Sequence, residues 1–463
     1  MIETITKTNQ KVLLLNPPGT KPYLRDYFCN NISKSKYLHY PVDLLLLTGT
    51  LKENGFEVSF LDALLKGYSQ ENTLEKIKQI NPDYIVILIG TISWHEDKEF
   101  LEKLKTQNPN VKIIGTGDIF LDSGKESIEK NAFFDGCILD FSDNTILKLI
   151  DRLSRQGTRD KGQLAIDNCI YRDNGSGPIV GEIKRLKGEF SIPTPIHDLF
   201  PLKEYRYAFS RNFPTAHILT DFGCAFNCNF CPIRIDNLGF KVRPVEDIIK
   251  ELKYLKSIGI KELYFRDQTF GANKKRALEL CERIIEEDLQ FTWFCFSRVD
   301  VINEELLDAM KKAGCHTIIF GIESANDKTL TDVQKRISSE KIKHAFRLCK
   351  KRDIRRAATF IIGLPGETEE NIMNTVNFAI EIDCSFASFN IAEIRPGTNW
   401  SKNPDKIKFL PRNELEQIRN KVIKKFYLRP GYVFDRIKEI RTFHDMQVLL
   451  EEGLGIVANL VKS

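Results

Sequence analysis

Short apolar runs separated by helical stretches recur in two series along this 463-residue chain, and that alternation dictates its fold class. In the first series the runs fall at 11–15 (KVLLL), 58–61, 84–88 and 112–114, with a fifth at 137–139. A helix is expected over 41–53, where Pro41 suits a first turn because it has no N–H to leave unpaired. Strands that are apolar throughout need cover on both faces, so they predict a parallel sheet between helical layers. The second series begins at residue 216, with runs near 216–220, 261–265, 292–296, 317–321, 358–362 and 387–391. Helical stretches at 245–255, 274–286, 304–312, 340–350 and 370–382 separate them. Six such β/α units predict an open or partial barrel whose working end lies at the strand C-termini.

The stretch between the two series is less regular. Tyr171 to Gly177 reads as a hairpin turn between two strand-like runs, and Pro193, Pro195 and Pro201 punctuate the remainder of the stretch. The expected organisation is therefore a doubly wound α/β domain at 1–154, a linker with a hairpin at 155–213, a barrel core at 214–400 and a helical region at 401–463.

Composition narrows the setting. Hydrophobic content of 42% and charged content of 28% are ordinary for a globular protein. No run of about 18 apolar residues occurs, and residues 1–7 lack the apolar core of a signal peptide, so a cytoplasmic protein is expected. The formal charge of +5 is modest, and clusters such as Lys350-Lys351-Arg352 and Arg355-Arg356 read as solvated faces; no nucleic-acid partner is indicated. Residues 446–461 (MQVLLEEGLGIVANLV) are apolar enough for a helix that packs on the barrel, with peripheral membrane contact as the alternative.

Chemistry enters with Cys224-Ala-Phe-Asn-Cys228-Asn-Phe-Cys231, a C-x3-C-x2-C run following the first strand of the second series. Gly223 frees the backbone before the loop and Pro232 ends it. Three thiolates can hold three irons of a [4Fe–4S] cube and leave the fourth open to a small molecule. A structural zinc takes four ligands in two pairs. No second pair exists, because the other eight cysteines (29, 137, 169, 281, 295, 315, 349 and 384) are scattered. The histidines show no metal-pair spacing and read as core or surface residues.

Polar residues follow each later strand in turn. Arg266, Asp267 and Gln268 come first, then Ser297 and Arg298, then Gly321, Glu323 and Ser324. Gly363, Gly366, Glu367 and Thr368 follow the fifth strand, and Arg395 to Thr398 the sixth; Thr368 also suits a helix N-cap. Carboxylates here would take the amine and hydroxyls of a zwitterionic nucleoside, and Arg298 its carboxylate. In the first series the turns Asn16-Pro17-Pro18-Gly19, Gly90-Thr91 and Gly115-Thr116-Gly117 lie at the edge where open α/β sheets bind ligands, and the equal alternative is that their glycines only make tight turns.

These motifs give a family resemblance. Residues 214–400 resemble the radical S-adenosylmethionine superfamily, whose signature is the same cysteine triad. The resemblance implies that Cys224, Cys228 and Cys231 ligate a [4Fe–4S] cluster and that Phe230 is the usual aromatic before the last ligand. It implies that the open iron chelates S-adenosylmethionine, which is cleaved reductively to a 5′-deoxyadenosyl radical. Asp267, Arg298, Glu323 and Ser324 then fall beside the methionine and ribose portions, and Gly363, Gly366 and Glu367 near adenine. Gln268 stands where relatives often carry a second acid.

The N-terminal half narrows the resemblance to the cobalamin-binding radical enzymes called class B methylases, as does the 426–430 element (FYLRP). Asn16, Gly90, Ser93, Gly115 and Gly117 are then expected at cobalamin. Two segments depart from that pattern. Gly115-Thr116-Gly117-Asp118 replaces Gly-Gly-x-His, and Asp140-Phe141-Ser142-Asp143 replaces Gly-Glu-Gly-Glu. The resemblance implies an anaerobic methyltransferase acting on an unactivated carbon of a small molecule, with an electron donor such as flavodoxin or ferredoxin. The alternative of the same architecture cyclises, oxidises or couples a tetrapyrrole, lipid or terpenoid without methylating it. A tRNA methylthiotransferase would need an N-terminal cluster with three cysteines, and only Cys29 and Cys137 precede the linker. A non-catalytic iron–sulfur or corrinoid-binding module would not need polar residues at every strand end.

Overall fold

The computed structural model describes residues 9–26, 30–33, 37–155, 165–173, 176–184, 186–236 and 238–438. Cys29, His444, the turn residues Asn174 and Gly175 and the expected helix at 446–461 lie outside the described residues. The chain forms two compact units. The first holds residues 1–207, 214–222 and 238–260; the second holds 208–213, 223–237 and 261–463.

In the first unit the apolar runs become strands Lys11–Asn16, Glu57–Asp62, Tyr84–Leu88, Lys112–Thr116 and Gly136–Ile138. Lys11–Asn16 pairs in parallel with Glu57–Asp62 on one side and Tyr84–Leu88 on the other, and the remaining two follow in order. That order reverses at the first strand, the switch point at which open α/β sheets take ligands. Within the span 155–213, strands Cys169–Asp173 and Ser176–Val180 continue the sheet as an antiparallel pair. Val12 to Leu15 and Ile85 to Leu88 are wholly buried without a break, as a two-sided sheet requires. The expected helix forms as Val42–Glu53, with Pro41 at its N-cap position, and it is buried from Val42 to Leu51.

Side chains distant in sequence bind this unit together. Tyr40 hydrogen-bonds the His197 ring at 3.2 Å, and His197 meets Glu251 at 2.8 Å. Glu251 in turn pairs with Arg243 at 2.7 Å. Burial alone would raise the Glu251 carboxyl, but Arg243 and His197 hold it below its usual range. The buried histidine here is a satisfied core residue. His316 of the second unit is likewise paired with Glu262, at 3.1 Å.

The second unit carries five parallel strands, Glu262–Phe265, Thr292–Ser297, Cys315–Glu323, Arg355–Ile362 and Phe386–Ile391, each paired with the next. The first expected strand of this series forms as Thr215–Ile218 and belongs to the first unit. Helices Lys274–Glu286, Glu304–Lys312, Ser339–Lys351 and Glu369–Glu381 connect the five strands. Asn273, Asn303 and Ser338 cap three of them, and Thr368 caps the fourth in a capping box with Asn371. These caps begin each helix, which leaves the strand-end polar residues in the segments between a strand C-terminus and the next helix. The helical region begins with Arg412–Tyr427 and Pro430–Lys438. Tyr427 donates its hydroxyl to the Ala387 carbonyl at 2.7 Å and accepts from the Ala387 N–H at 3.3 Å. It thereby satisfies backbone groups of Phe386–Ile391, the last strand of the sheet. Among the described residues no helix is long and apolar enough to cross a membrane.

Candidate active site

At the C-terminal edge of the first sheet, the segment after Lys11–Asn16 folds back over the strand ends and is held by one arginine. Arg25 is buried and pairs with Asp97 at 2.6 Å. Its Nε donates to Ser93 Oγ at 2.9 Å, and its Nη1 donates to Asn16 Oδ1 and the Pro17 carbonyl at 3.1 and 2.9 Å. Nη2 also reaches the Pro18 carbonyl at 3.2 Å. Ser93 donates in turn to Asp97 at 2.6 Å, and the Gly90 N–H points at the same carboxylate from 3.3 Å. Burial raises the Asp97 carboxyl even against Arg25, which makes the pair a costly one to break. Three of the residues expected at cobalamin, Asn16, Gly90 and Ser93, are thus brought together by Arg25 and Asp97.

The remaining two serve the turn itself. Gly117 has φ +128°, and a Cβ there would collide with the Ile89 carbonyl. Gly115 packs under Phe120 and Phe134. Asp118, which replaces a histidine of the expected pattern, accepts from Asn30 Nδ2, Thr91 N and Thr91 Oγ1 at 2.7, 2.8 and 2.9 Å. It therefore ties three turns together. Thr20, Thr91 and Ile92 remain exposed on top of this scaffold.

The second departure from the pattern is also occupied. Asp140 pairs with Lys241 at 2.9 Å, both buried, and accepts from the Ser142 N–H at 2.8 Å. Burial and then the Asp140 charge raise the neighbouring Asp143 carboxyl.

In the second unit, Cys228 is buried while Cys224 and Cys231 are half-buried. The three thiols sense one another electrostatically, and burial pushes Cys224 and Cys231 above the usual thiol value. Ionising thiols in such a place carries a desolvation cost that bound iron removes. Among the described residues no three His, Cys, Asp or Glu side chains are gathered tightly enough to hold one metal ion. A [4Fe–4S] cube places each cysteine sulfur on a separate iron. The loop is fixed to its surroundings by Asn229, whose N–H donates to the Val333 carbonyl at 3.0 Å. Phe230 packs with Val333, Leu364 and Trp400 in an apolar cluster. That wall keeps water from one side of the triad, which strengthens charge interactions there.

Two groups of the strand-end residues come together around this loop. Arg298 donates through Nε and Nη2 to Asp300 at 2.9 and 2.8 Å, and through Nη1 to Cys228 Sγ at 3.6 Å. Glu323 pairs with Lys335 at 2.9 Å, both nearly buried. Burial works against the Lys335 charge, but Glu323 and Cys228 carry it above its usual value. In the other group Ser324 donates to Glu367 at 2.8 Å, and Glu367 accepts from the Leu364 N–H at 3.0 Å. Burial raises the Glu367 carboxyl. Gly363 and Gly366 bracket this turn, both at positive φ; the helix residue Leu415 packs where a Cβ on Gly363 would sit. Asp267 is buried at the end of Glu262–Phe265, with its charge felt by Cys295.

Sequence reasoning missed Lys335, Asp300 and Arg25. Asp300 stands two residues beyond Arg298, a spacing that does signal a forked pair across a turn. Lys335 and Arg25 carry no such signal, since they reach their partners through irregular loops.

Residues 219–379 match the Radical SAM superfamily, and residues 31–148 match the B12 binding domain. An uncharacterized methyltransferase of Pyrococcus horikoshii is 30% identical over 426 residues, covering 87% of this chain and 90% of that protein. The chain belongs to the cobalamin-dependent radical S-adenosylmethionine enzymes. In this family the two matched domains bring a [4Fe–4S] cluster, S-adenosylmethionine and cobalamin as cofactors. Another family relative is the anaerobic magnesium-protoporphyrin IX monomethyl ester cyclase of Rubrivivax gelatinosus, 26% identical over 73% of this chain and 61% of that one. Among solved structures, the radical S-adenosylmethionine methyltransferase TsrM of Kitasatospora setae, with cobalamin and [4Fe–4S] cluster bound, superposes with a TM-score of 0.67. It is 19% identical and covers 85% of this chain and 77% of TsrM, a likeness of fold.

Proposed function

We propose that this enzyme transfers a methyl group from S-adenosylmethionine, by way of cobalamin, to an unactivated carbon of a small molecule. The observation that carries the reading is a complete cysteine triad in a chain that matches a methyltransferase along nearly its whole length. Cys224, Cys228 and Cys231 hold the cluster, which when reduced supplies the electron that cleaves the sulfonium of S-adenosylmethionine. The buried polar groups of Asp267, Ser324 and Glu367 and the turn of Gly363 and Gly366 position the nucleoside. Arg298 and the Glu323–Lys335 pair form the charged wall on the cluster side. In the first unit Asn16, Gly90, Ser93, Gly115 and Gly117 act as the rigid frame beneath the corrinoid, and Thr20, Thr91 and Ile92 face it. An external low-potential donor of the flavodoxin or ferredoxin type provides the electrons.

A second reading keeps the radical and drops the methyl transfer, giving cyclisation or oxidation of the substrate. The cyclase likeness and the Asp118 network favour it. Formation of S-adenosylhomocysteine, which only methyl transfer gives, separates the two, and corrinoid retention tests the cofactor that methyl transfer requires. Protein loaded anaerobically with hydroxocobalamin and gel-filtered is expected to keep about one corrinoid per chain, seen in its visible spectrum. Passage through the column without corrinoid would defeat the methyl-transfer reading.

A further inference from the structure

Two cations, Arg298 and Lys335, act on the cysteine triad, each paired with a carboxylate, and the fold holds them there at some conformational cost. Arg298 uses both hydrogens of Nη2, one on Asp300 and one on the Lys335 carbonyl at 2.8 Å. Its Nε is taken by Asp300, so Nη1 is left to face the Cys228 sulfur. The guanidinium also lies over the Phe226 ring at 3.8 Å, within the cluster loop itself. Lys335 is the second cation, with its ammonium 6.0 Å from the Phe230 ring centre. It is flanked by Gln334 and Arg336, both in the left-handed region at φ +57°, and its partner Glu323 is at φ +69°. Three non-glycine residues in that region persist only where surrounding contacts over-determine them. Gly321 completes the arrangement, since a Cβ there would sit 2.7 Å from the Glu323 carboxylate and 2.8 Å from the Lys335 ammonium.

We propose that Arg298 and Lys335, cross-braced by Asp300 and Glu323, form a fixed cationic bracket against Cys228 that raises the reduction potential of the cluster. The inference rests on the assignment of the triad to a [4Fe–4S] cluster. One-electron reduction adds a negative charge to a core that already bears three thiolates, and the electron comes from the external donor. A hydrogen bond to a ligand sulfur and nearby positive charge both favour the reduced form. Beside the buried Cys228 these effects are larger than at a surface. Arg298 and Lys335 are thus positioning residues of the cluster, and each carboxylate keeps its cation in place.

An EPR-monitored redox titration of the anaerobically reconstituted full-length enzyme, without S-adenosylmethionine or substrate, tests the bracket. Arg298→Gln is expected to keep its iron and to lower the ratio of reduced to oxidised cluster at a fixed poise about tenfold, a shift of about 59 mV for a one-electron couple. Arg298→Lys, which keeps charge but loses the fork, is expected to fall between that variant and the wild type. If Arg298→Gln loses iron, Lys335→Gln becomes the deciding variant, and a lower potential there supports the bracket. A wild-type potential in an iron-loaded Arg298→Gln, or in Lys335→Gln when it decides, overturns the proposal. Because no methyl acceptor is present, the result stands whether or not the enzyme proves to methylate.

Discussion

Cys228→Ala is expected to fold yet lose its cluster, and with it all reductive cleavage of S-adenosylmethionine. Cys228 is the most buried of the three ligands, and its sulfur is the acceptor for Arg298. Alanine there leaves two thiolates for a cube that needs three, and turns Arg298 and Lys335 toward an apolar methyl group. The affected quantities are iron per chain, the visible absorption of the reconstituted protein and 5′-deoxyadenosine formed under dithionite. Cys384→Ala is the control, since that thiol is buried outside the triad and its loss leaves only a small void. Wild-type iron and cleavage in Cys228→Ala would place the cluster elsewhere in the chain.

The second large effect is on stability. Arg25→Ala leaves Asp97 buried without its partner, and breaking a buried pair on one side costs about 3–5 kcal/mol. The same change frees the Pro17 and Pro18 carbonyls and the Asn16 and Ser93 side chains from their shared donor. Thermal unfolding of the first unit is expected to move down by on the order of 10 °C. Corrinoid retention should fall with it, because the frame under the strand ends loses its tie. The double variant Arg25→Met with Asp97→Leu is expected to recover much of the stability, as apolar replacements of buried pairs do. An Arg25→Ala protein that melts like the wild type would mean that the pair contributes nothing net.

The sheets were legible in the sequence because a strand buried on both faces leaves a near-continuous apolar run, as in 11–15 and 84–88. The cluster ligands were legible for a different reason. All three sit in one loop, so their spacing survives in the linear order. Thr368 was legible as a cap because its hydroxyl serves N–H groups only a few residues away. The features that escaped sequence reading join residues far apart or pass through unusual backbone. Arg25 meets Asp97 across 72 positions, and Tyr40 meets His197 across 157. Lys335 reaches Glu323 only because Gln334 and Arg336 adopt left-handed conformations that their residue types disfavour. The strands Leu186–Glu189 and Gly239–Val242, paired in parallel, were missed because each is only four residues long, too short for alternation to stand out.

If methyl transfer runs through a substrate radical, one enzyme uses S-adenosylmethionine both as a radical source and as a methyl donor. The direct measurement is the ratio of 5′-deoxyadenosine to S-adenosylhomocysteine formed by the anaerobically reconstituted, cobalamin-loaded enzyme turning over a substrate. Radical-driven methylation consumes one molecule of S-adenosylmethionine for each role, so the two products are expected in equal amounts, with a methylated product in step. Steady formation of 5′-deoxyadenosine with no S-adenosylhomocysteine would contradict it.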